Sequence, residues 1–226
     1  MLKRLRGIGR RARTSTSEKN DAEIAFWRER RAIEGELTGP HYADLFGWVF
    51  GLDRDFFESR SILDVGCGPR GSLEWAGPGL RVGLDPLSQR YIELGVDGHA
   101  MQYVAAGAEA MPFSDGAFDI VASLNSLDHV DDVDHATREI VRVLRPGGTF
   151  LLITEVGHEP TPTEPVTFGF DIVDSFGPEL TVVSTASYEM PHKLVHASVI
   201  AAVPYDSTDT RRRSGILTAR FEKRAS

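Results

Sequence analysis

Asp64 stands two residues before Gly66 and four before Gly68, inside the apolar run Ile62-Leu63-Asp64-Val65. Ile62, Leu63 and Val65 have the character of a short buried parallel strand, and the glycines after them let the backbone turn sharply and approach a ligand where a Cβ would collide. A carboxylate at the join of strand and loop then selects the ligand's charge. Fourteen residues beyond Gly71, Asp85 closes a second apolar run, Leu80-Arg81-Val82-Gly83-Leu84. An acid at such a strand tip can accept both hydroxyls of a ribose.

Two nucleotide cofactors compete for this pattern. Gly66, Gly68 and Gly71 satisfy the G-x-G-x-x-G spacing of dinucleotide sites, a weak signal by itself. A pyrophosphate would bring negative charge next to Asp64 and be repelled. S-adenosylmethionine presents an ammonium and a sulfonium, both of which Asp64 attracts. Asp85 serves a ribose in either case and does not separate the two.

The elements that must position these residues alternate as a doubly wound α/β domain does. Helices are expected over Asp21 to about Ile33 and over Tyr42, Leu45, Phe46, Val49 and Phe50, with Pro40 near the start of the second and Gly51 past its end. Strands follow at 62–65, 80–84, 102–105, 118–124 and 149–154. Val133, Ala136, Ile140, Val143 and Leu144 form the apolar stripe of a helix that Pro146-Gly147-Gly148 ends. A helix after the glycine loop is expected to be short, because Gly77-Pro78-Gly79 interrupts it soon after Trp75. Later strands are expected at 179–190 and 215–221, with 196–205 extended or helical and 206–213 a hairpin-like return.

Six blocks, taken in order, resemble the class I S-adenosylmethionine-dependent methyltransferases, most closely the branch called methyltransferase type 11. They are Leu63 to Gly68, Gly83-Leu84-Asp85, Ala108 to Phe113, Asp115 to Val121, His129-Val130, and Arg142 to Gly148. The resemblance covers about residues 55–155. It implies a Rossmann-like, mostly parallel sheet with an antiparallel C-terminal edge and an N-terminal helical cover. It also implies that Asp64, Gly66 and Gly68 surround the methionine part of S-adenosylmethionine, Asp85 the ribose, Leu87 one face of adenine, and Asn125 the region of the sulfonium. One position departs from the family pattern: Gly107 stands where an acid usually reaches the adenine amino group. Adenine is then left to the backbone of Ala108 and Glu109, to the Glu109 side chain, or to weaker contacts. In the cover, Trp27, His41 and Tyr42 are candidate lid residues, with packing on the sheet as the plainer alternative.

Methyl transfer from a sulfonium is an in-line displacement, so the protein must align the acceptor and remove its proton where it has one. The segment Asn125 to Asp132 leaves the carboxyl end of the fourth strand, where open α/β sheets bind ligands. His129 is the candidate base, with Asp128 or Asp131 able to raise its basicity; the alternative is that it caps or packs under the next helix. A second polar group, Glu155, His158, Thr161, Thr163 and Glu164, follows the fifth strand among prolines and reads as a fixed acceptor loop. No recognised metal-ligand spacing appears, so no metal is expected, although Asp128, Asp131, Glu155 and His158 could meet around Mg²⁺. Asn125-Ser126-Leu127-Asp128 lacks the Pro-Pro-aromatic pattern of amino methyltransferases acting on DNA. The acceptor is therefore expected to be small and polar, a hydroxyl of a sugar, lipid or other metabolite.

Length and composition set the remaining bounds. A chain of 226 residues suits one domain, divided as a tail over 1–18 and a methyltransferase domain over 19–226. Within it, 19–58 is the cover, 59–155 the cofactor core and 156–226 the acceptor loop and last strands. Net charge of −8 disfavours nucleic acid. Cys67 is the only cysteine, which agrees with a reducing cytoplasm, and no apolar run is long enough for a membrane span or a secretion signal. Lys3, Arg4, Arg6, Arg10, Arg11 and Arg13 read as a disordered tail, or else as a weak membrane-surface arm with Leu2, Leu5 and Ile8 as its apolar side. The oligomeric state is not encoded in any motif. Two rivals stand beside the leading reading: a NAD-linked oxidoreductase, and a catalytically silent S-adenosylmethionine-binding regulatory module, which only Gly107 supports.

Overall fold

The protein is represented by a computed structural model that describes residues 16–225. Seven strands form one sheet in the order β3-β2-β1-β4-β5-β7-β6. β1 (Ile62–Val65), β2 (Arg81–Leu84), β3 (Gln102–Val104) and β4 (Phe118–Leu124) are parallel, and β5 (Leu144–Val156) continues that set. β7 (Gly215–Lys223) lies between β5 and β6 (Leu180–Glu189) and is antiparallel to both. The expected Rossmann-like sheet with an antiparallel C-terminal edge is what the chain forms. Its order reverses beside β1, so the carboxyl ends of β1 and β4 diverge there and open a crevice.

Burial follows the two faces. β1 is buried at every position, as a central parallel strand covered on both sides must be. One face packs Leu63, Val121 and Phe150 under helix α4 (Val133–Val143) and the 3-10 segment Phe170–Phe176. The other packs Ile62, Ile120 and Leu151 under α2 (Tyr42–Phe46), the 3-10 turns that follow it, and α5 (Val195–Ala201). α1 (Thr16–Glu34) instead joins a separate cluster, with Ile24 against Leu87, Tyr91 and Leu94 beside α3 (Ser88–Tyr91).

Several boundaries differ from the sequence expectation. α1 begins at Thr16, so residues 16–18 of the supposed tail are helical, and the rest of that tail lies outside the described residues. The helix expected through Phe50 breaks at Gly47 (ψ −99°), where the chain restarts as a 3-10 turn over Trp48–Phe50. A Cβ at Gly47 would lie 2.9 Å from the Ala43 carbonyl oxygen, so the break requires glycine. After the glycine loop, residues 72–76 form turns rather than a short helix. Glu74 and Ala76 donate to Gly71 and Leu73, and the Trp75 indole donates to the Ser72 carbonyl. Among the described residues no helix is long and apolar enough to cross a membrane.

Candidate functional site

A cleft of about 1050 Å³ opens over the carboxyl ends of β1, β2 and β4. Gly66, Gly68, Asp85, Leu87, Ala108, Glu109, Asn125 and His129 all line it. Asp64 is the exception among the expected site residues. It is buried behind the loop, 2% exposed, with Oδ2 accepting from the Ser72 hydroxyl and Oδ1 lacking any partner. Burial raises its pKa to about 7, opposed by the Ser72 bond and reinforced by nearby Asp85. Any action on a ligand must pass through the loop, as a field rather than a contact.

The glycines are required for reasons the sequence does not display. Gly66 has φ +73°, and a Cβ there would lie 2.6 Å from Ser126 Oγ. Ser126 packs that closely because its hydroxyl donates to the Val65 carbonyl at 2.5 Å, tying the segment after β4 to the tip of β1. Gly68 has φ +56°, and its Cβ position faces the Trp27 ring of α1 at 3.3 Å. The neighbours that exclude a Cβ are thus other parts of the chain.

Asp85 sits on the wall at the β2 tip. Its Oδ1 accepts from Leu87 N–H (2.9 Å) and its Oδ2 from Gly68 N–H (3.2 Å), which fixes the carboxylate against both the loop and the start of α3. Burial raises its pKa to about 6, partly offset by those two bonds. Each oxygen keeps acceptor capacity beyond the bond it makes. Glu109 is committed elsewhere: its Oε1 accepts from Asp131 N–H (2.7 Å) and Asp132 N–H (3.3 Å), just ahead of α4. At Gly107 a Cβ would meet only the flexible end of Glu109, so crowding is not why glycine stands there.

Past β4 the chain turns at Asn125, a non-glycine with φ +56°, whose N–H donates to the Ile153 carbonyl (2.7 Å) and whose Oδ1 accepts from Glu155 N–H (3.3 Å). Asp128 and His129 follow in a 3-10 turn. His129 is half-buried, with Nε2 3.9 Å from Asp128 Oδ1 and 4.0 Å from Glu164 Oε1. Asp131, the other acid considered for it, turns away to pair with Lys19 of α1 (3.2 Å). The loop after β5 is held by Thr161, whose hydroxyl donates to Glu164 Oε2 (3.1 Å) and accepts from Glu164 N–H (2.9 Å). His158 reaches Asp128 instead of the cleft, with Nε2 3.7 Å from Asp128 Oδ2.

The cover spans the cleft. At one end of α1, Lys19 donates to the His129 carbonyl (2.8 Å). At the other, Arg70 of the glycine loop binds both carboxylate oxygens of Glu34 at 2.8 Å. Trp27 lies between, lining the cleft, its indole donating to Glu23 (2.8 Å) and its ring packed against the cluster of Ile24, Leu87 and Tyr91. His41 and Tyr42 also line the cleft. His196 of α5 stacks on His41 with centroids 4.4 Å apart, and burial lowers both pKa values, that of His41 to about 4. His196, Arg70 and Glu34 were not anticipated. Nothing local marks them, since their roles come from partners tens of residues away.

A parallel sheet with its reversal at β1, a glycine loop beneath a covered cleft and an acid at the β2 tip define a nucleotide-binding α/β domain. Residues 63–152 match the family described as "Methyltransferase domain", and they form a class I S-adenosylmethionine-dependent methyltransferase domain. The ubiquinone/menaquinone biosynthesis C-methyltransferase UbiE of Pseudoalteromonas translucida is 30% identical over 164 residues, covering 72% of this chain and 61% of that protein. The malonyl-[acyl-carrier protein] O-methyltransferase of Enterobacter lignolyticus is 38% identical over 95 residues, covering 41% and 38%. The chain spans less than two thirds of the length of these relatives. Among solved structures, the [4+2]-cyclase SpnF superposes with a TM-score of 0.72 at 18% identity, covering 97% of this chain and 99% of that one, a likeness of fold alone.

Proposed function

We propose that the chain, as one domain over residues 19–226, is a cytoplasmic S-adenosylmethionine-dependent methyltransferase acting on a small acceptor that carries an ionisable hydroxyl. The observation that carries this reading is Asp85, pinned by Gly68 and Leu87 on the wall of a cleft belonging to a methyltransferase domain. The residues present fit the cofactor. Asp85 would hold the ribose, Leu87 and the backbone of Ala108 and Glu109 the adenine, and Gly66, Gly68 and Asn125 the methionine part, with the unpaired Asp64 Oδ1 supplying negative potential behind the loop. S-adenosylmethionine, when bound, supplies a methyl group on a cationic sulfur.

The chain's own contribution is to position the acceptor, exclude water and accept a proton. α1 with Trp27, and His41, Tyr42 and His196 near Arg70 of the glycine loop, line the cleft and would shield it. His129 would take the hydroxyl proton, and the Asp128 and Glu164 carboxylates 3.9 and 4.0 Å away favour the cation it becomes. The methyl then goes to the acceptor oxygen. The Pseudoalteromonas relative, named as a C-methyltransferase, favours a second reading in which the ionised oxygen passes electron density to a ring carbon that is methylated instead. Both need the same proton removed.

A dinucleotide loses its physical basis at residues 72–76. Without a helix after the glycine loop, no helix N-terminus is available to receive a pyrophosphate. Calorimetric titration with S-adenosylhomocysteine and with NAD tests the reading: saturable binding of the first and none of the second is expected, and the reverse would overturn it. A metabolite extract incubated with the enzyme and S-adenosylmethionine should then show a mass that rises by one methyl group, whose fragmentation distinguishes oxygen from carbon.

A further inference from the structure

Behind the acceptor side of the cleft, four side chains from two loops bring carboxylate oxygens and ring nitrogens within 4.0 Å of one another, neighbour to neighbour. Asp128 is 1% exposed and its Oδ1 has no hydrogen-bond partner; His158 is 7% exposed and its Nε2 has none either. The His158 ring is oriented by Nδ1, 3.0 Å from the Glu159 carbonyl oxygen, which can only accept. Nδ1 therefore carries the proton, and Nε2 of the neutral ring presents a lone pair to Asp128 Oδ2 at 3.7 Å. On the other carboxylate oxygen, Oδ1 faces His129 Nε2 at 3.9 Å, and His129 Nε2 faces Glu164 Oε1 at 4.0 Å. Ligand atoms of Asp128, His129 and Glu164 all lie within 4.8 Å of one another.

None of these separations is a hydrogen bond. With Asp128 Oδ1 and His158 Nε2 lacking partners, one almost wholly buried carboxylate and one almost wholly buried imidazole are left without compensation beside two partly exposed donors. Metal–ligand bonds of about 2.0–2.1 Å place tetrahedral neighbours about 3.4 Å apart, so small side-chain rotations would close the group on an ion. A backbone carbonyl holding the second nitrogen of His158 is the usual support of a metal-bound imidazole. The mixed nitrogen and oxygen donors suit a divalent transition ion better than Mg²⁺, which prefers oxygen and water.

We propose that Asp128, His129, His158 and Glu164 bind one divalent transition-metal ion at the acceptor side of the cleft. This replaces the Asp128, Asp131, Glu155 and His158 grouping conceivable from the sequence, because Asp131 pairs with Lys19 and the side chains that join Asp128 and His158 are His129 and Glu164. His129 and Glu164 both line the cleft, so the ion would face a bound acceptor, take its hydroxyl as a fifth ligand and lower that hydroxyl's pKa; with the ion in place, this replaces proton removal by His129, whose Nε2 lone pair the ion then occupies. Ion binding stands independently of the methyltransferase reading; the role assigned to the ion rests on it.

The test uses the full chain, freed of metal with a chelator and dialysed, then titrated with Zn²⁺ by calorimetry and with Co²⁺ by visible absorption. One equivalent should bind, with Co²⁺ bands of low-coordinate nitrogen and oxygen ligation, and affinity should fall at least about tenfold in Glu164→Gln and in His158→Gln. Glu164 is partly exposed, so its variant keeps the test alive should the His158 variant fail to fold, which circular dichroism reports. S-adenosylhomocysteine binding, measured on the same metal-free sample, should be unaffected, so failure of the ion site and failure of the cofactor reading are distinguishable. No saturable Co²⁺ or Zn²⁺ binding, or binding of equal strength in wild type and Glu164→Gln, would overturn the proposal and leave a proton shared between Asp128 and the imidazoles.

Discussion

One wall of the cleft comes from a single short stretch, the two strand tips and the loop between Val65 and Leu87, while the rest of its lining is gathered from separate segments, among them His41, His129, Glu164 and His196. The first wall works with backbone: positive φ at Gly66 and Gly68, and N–H groups of Gly68 and Leu87 on one carboxylate. The second works with side chains whose partners are remote in sequence, such as His41 on His196 and Asp128 beside His158. A wall made of backbone tolerates few residue types and leaves a motif behind. One made of side chains can be rebuilt from many types, which lets the acceptor change while the cofactor site stays the same.

Substitutions on the two walls should therefore fail differently. The largest effect is expected at Gly66→Val, where a side chain at φ +73° would collide with Ser126. Unfolding in urea should show a loss of about 3–5 kcal/mol, from strain and overpacking together, and a near-neutral result would mean the segment after β4 moves freely from β1. His129→Ala should reduce turnover about a hundredfold or more, with S-adenosylhomocysteine affinity retained. Equal losses in turnover and in cofactor affinity would erase the division between the walls.

Asp85→Ala should weaken S-adenosylhomocysteine binding by about 1–3 kcal/mol, the cost of unpaired hydroxyls, with no comparable effect from Glu164→Gln. Its pH dependence sharpens the point. Because burial lifts Asp85 to about 6, a proton competes with the ribose below that pH, and affinity should fall as pH drops, by up to about tenfold per unit. Affinity that is constant from pH 7.5 to pH 5 would place the ribose elsewhere.

Asp64 gives the opposite sign in the ligand-free protein. Its pKa rises from 3.8 to about 7 on folding, so between those values the folded state holds the extra proton. The stability this contributes is complete below about pH 4 and is lost as pH rises through about 7. Asp64→Asn should therefore flatten that part of the melting temperature's fall with pH; an unchanged slope would show that Asp64 is ionised throughout. The smallest effect is expected from Lys19→Ala, which releases one end of α1 from Asp131 and the His129 carbonyl. A contribution of about 0.2–1 kcal/mol for a mostly surface pair should appear as a modestly faster release of S-adenosylhomocysteine in stopped flow.

The contrast also explains what could be read in advance. β1 and β4 begin and end at the expected residues, and α4 covers the expected apolar stripe from Val133 to Val143, but Leu144 already belongs to β5, which starts five residues early and includes Pro146-Gly147-Gly148. Arg142 and Arg145 hold surface structure, pairing with Glu139 and Asp119. The misjudged elements are those where neighbours overrule local preference. Gly47 splits a well-patterned helix, and Trp75 and Ser72 turn the chain after the loop where a helical turn was expected. Glu109 lines the cleft as expected, but its side chain also accepts through Oε1 from the N–H groups ahead of α4, a contact that no local pattern announces.

From the sequence alone came the parallel core, the glycine loop and the two acids at the strand tips, because strand burial and positive φ restrict residue type position by position. Tertiary structure alone decided that Asp64 lies behind the loop while Asp85 faces the cleft, and that Asp128, His129, His158 and Glu164 converge. Those arrangements depend on how the ends of β4 and β5 and the cover fold across one another, and chain segments far apart leave no mutual spacing in the sequence from which a contact could be inferred.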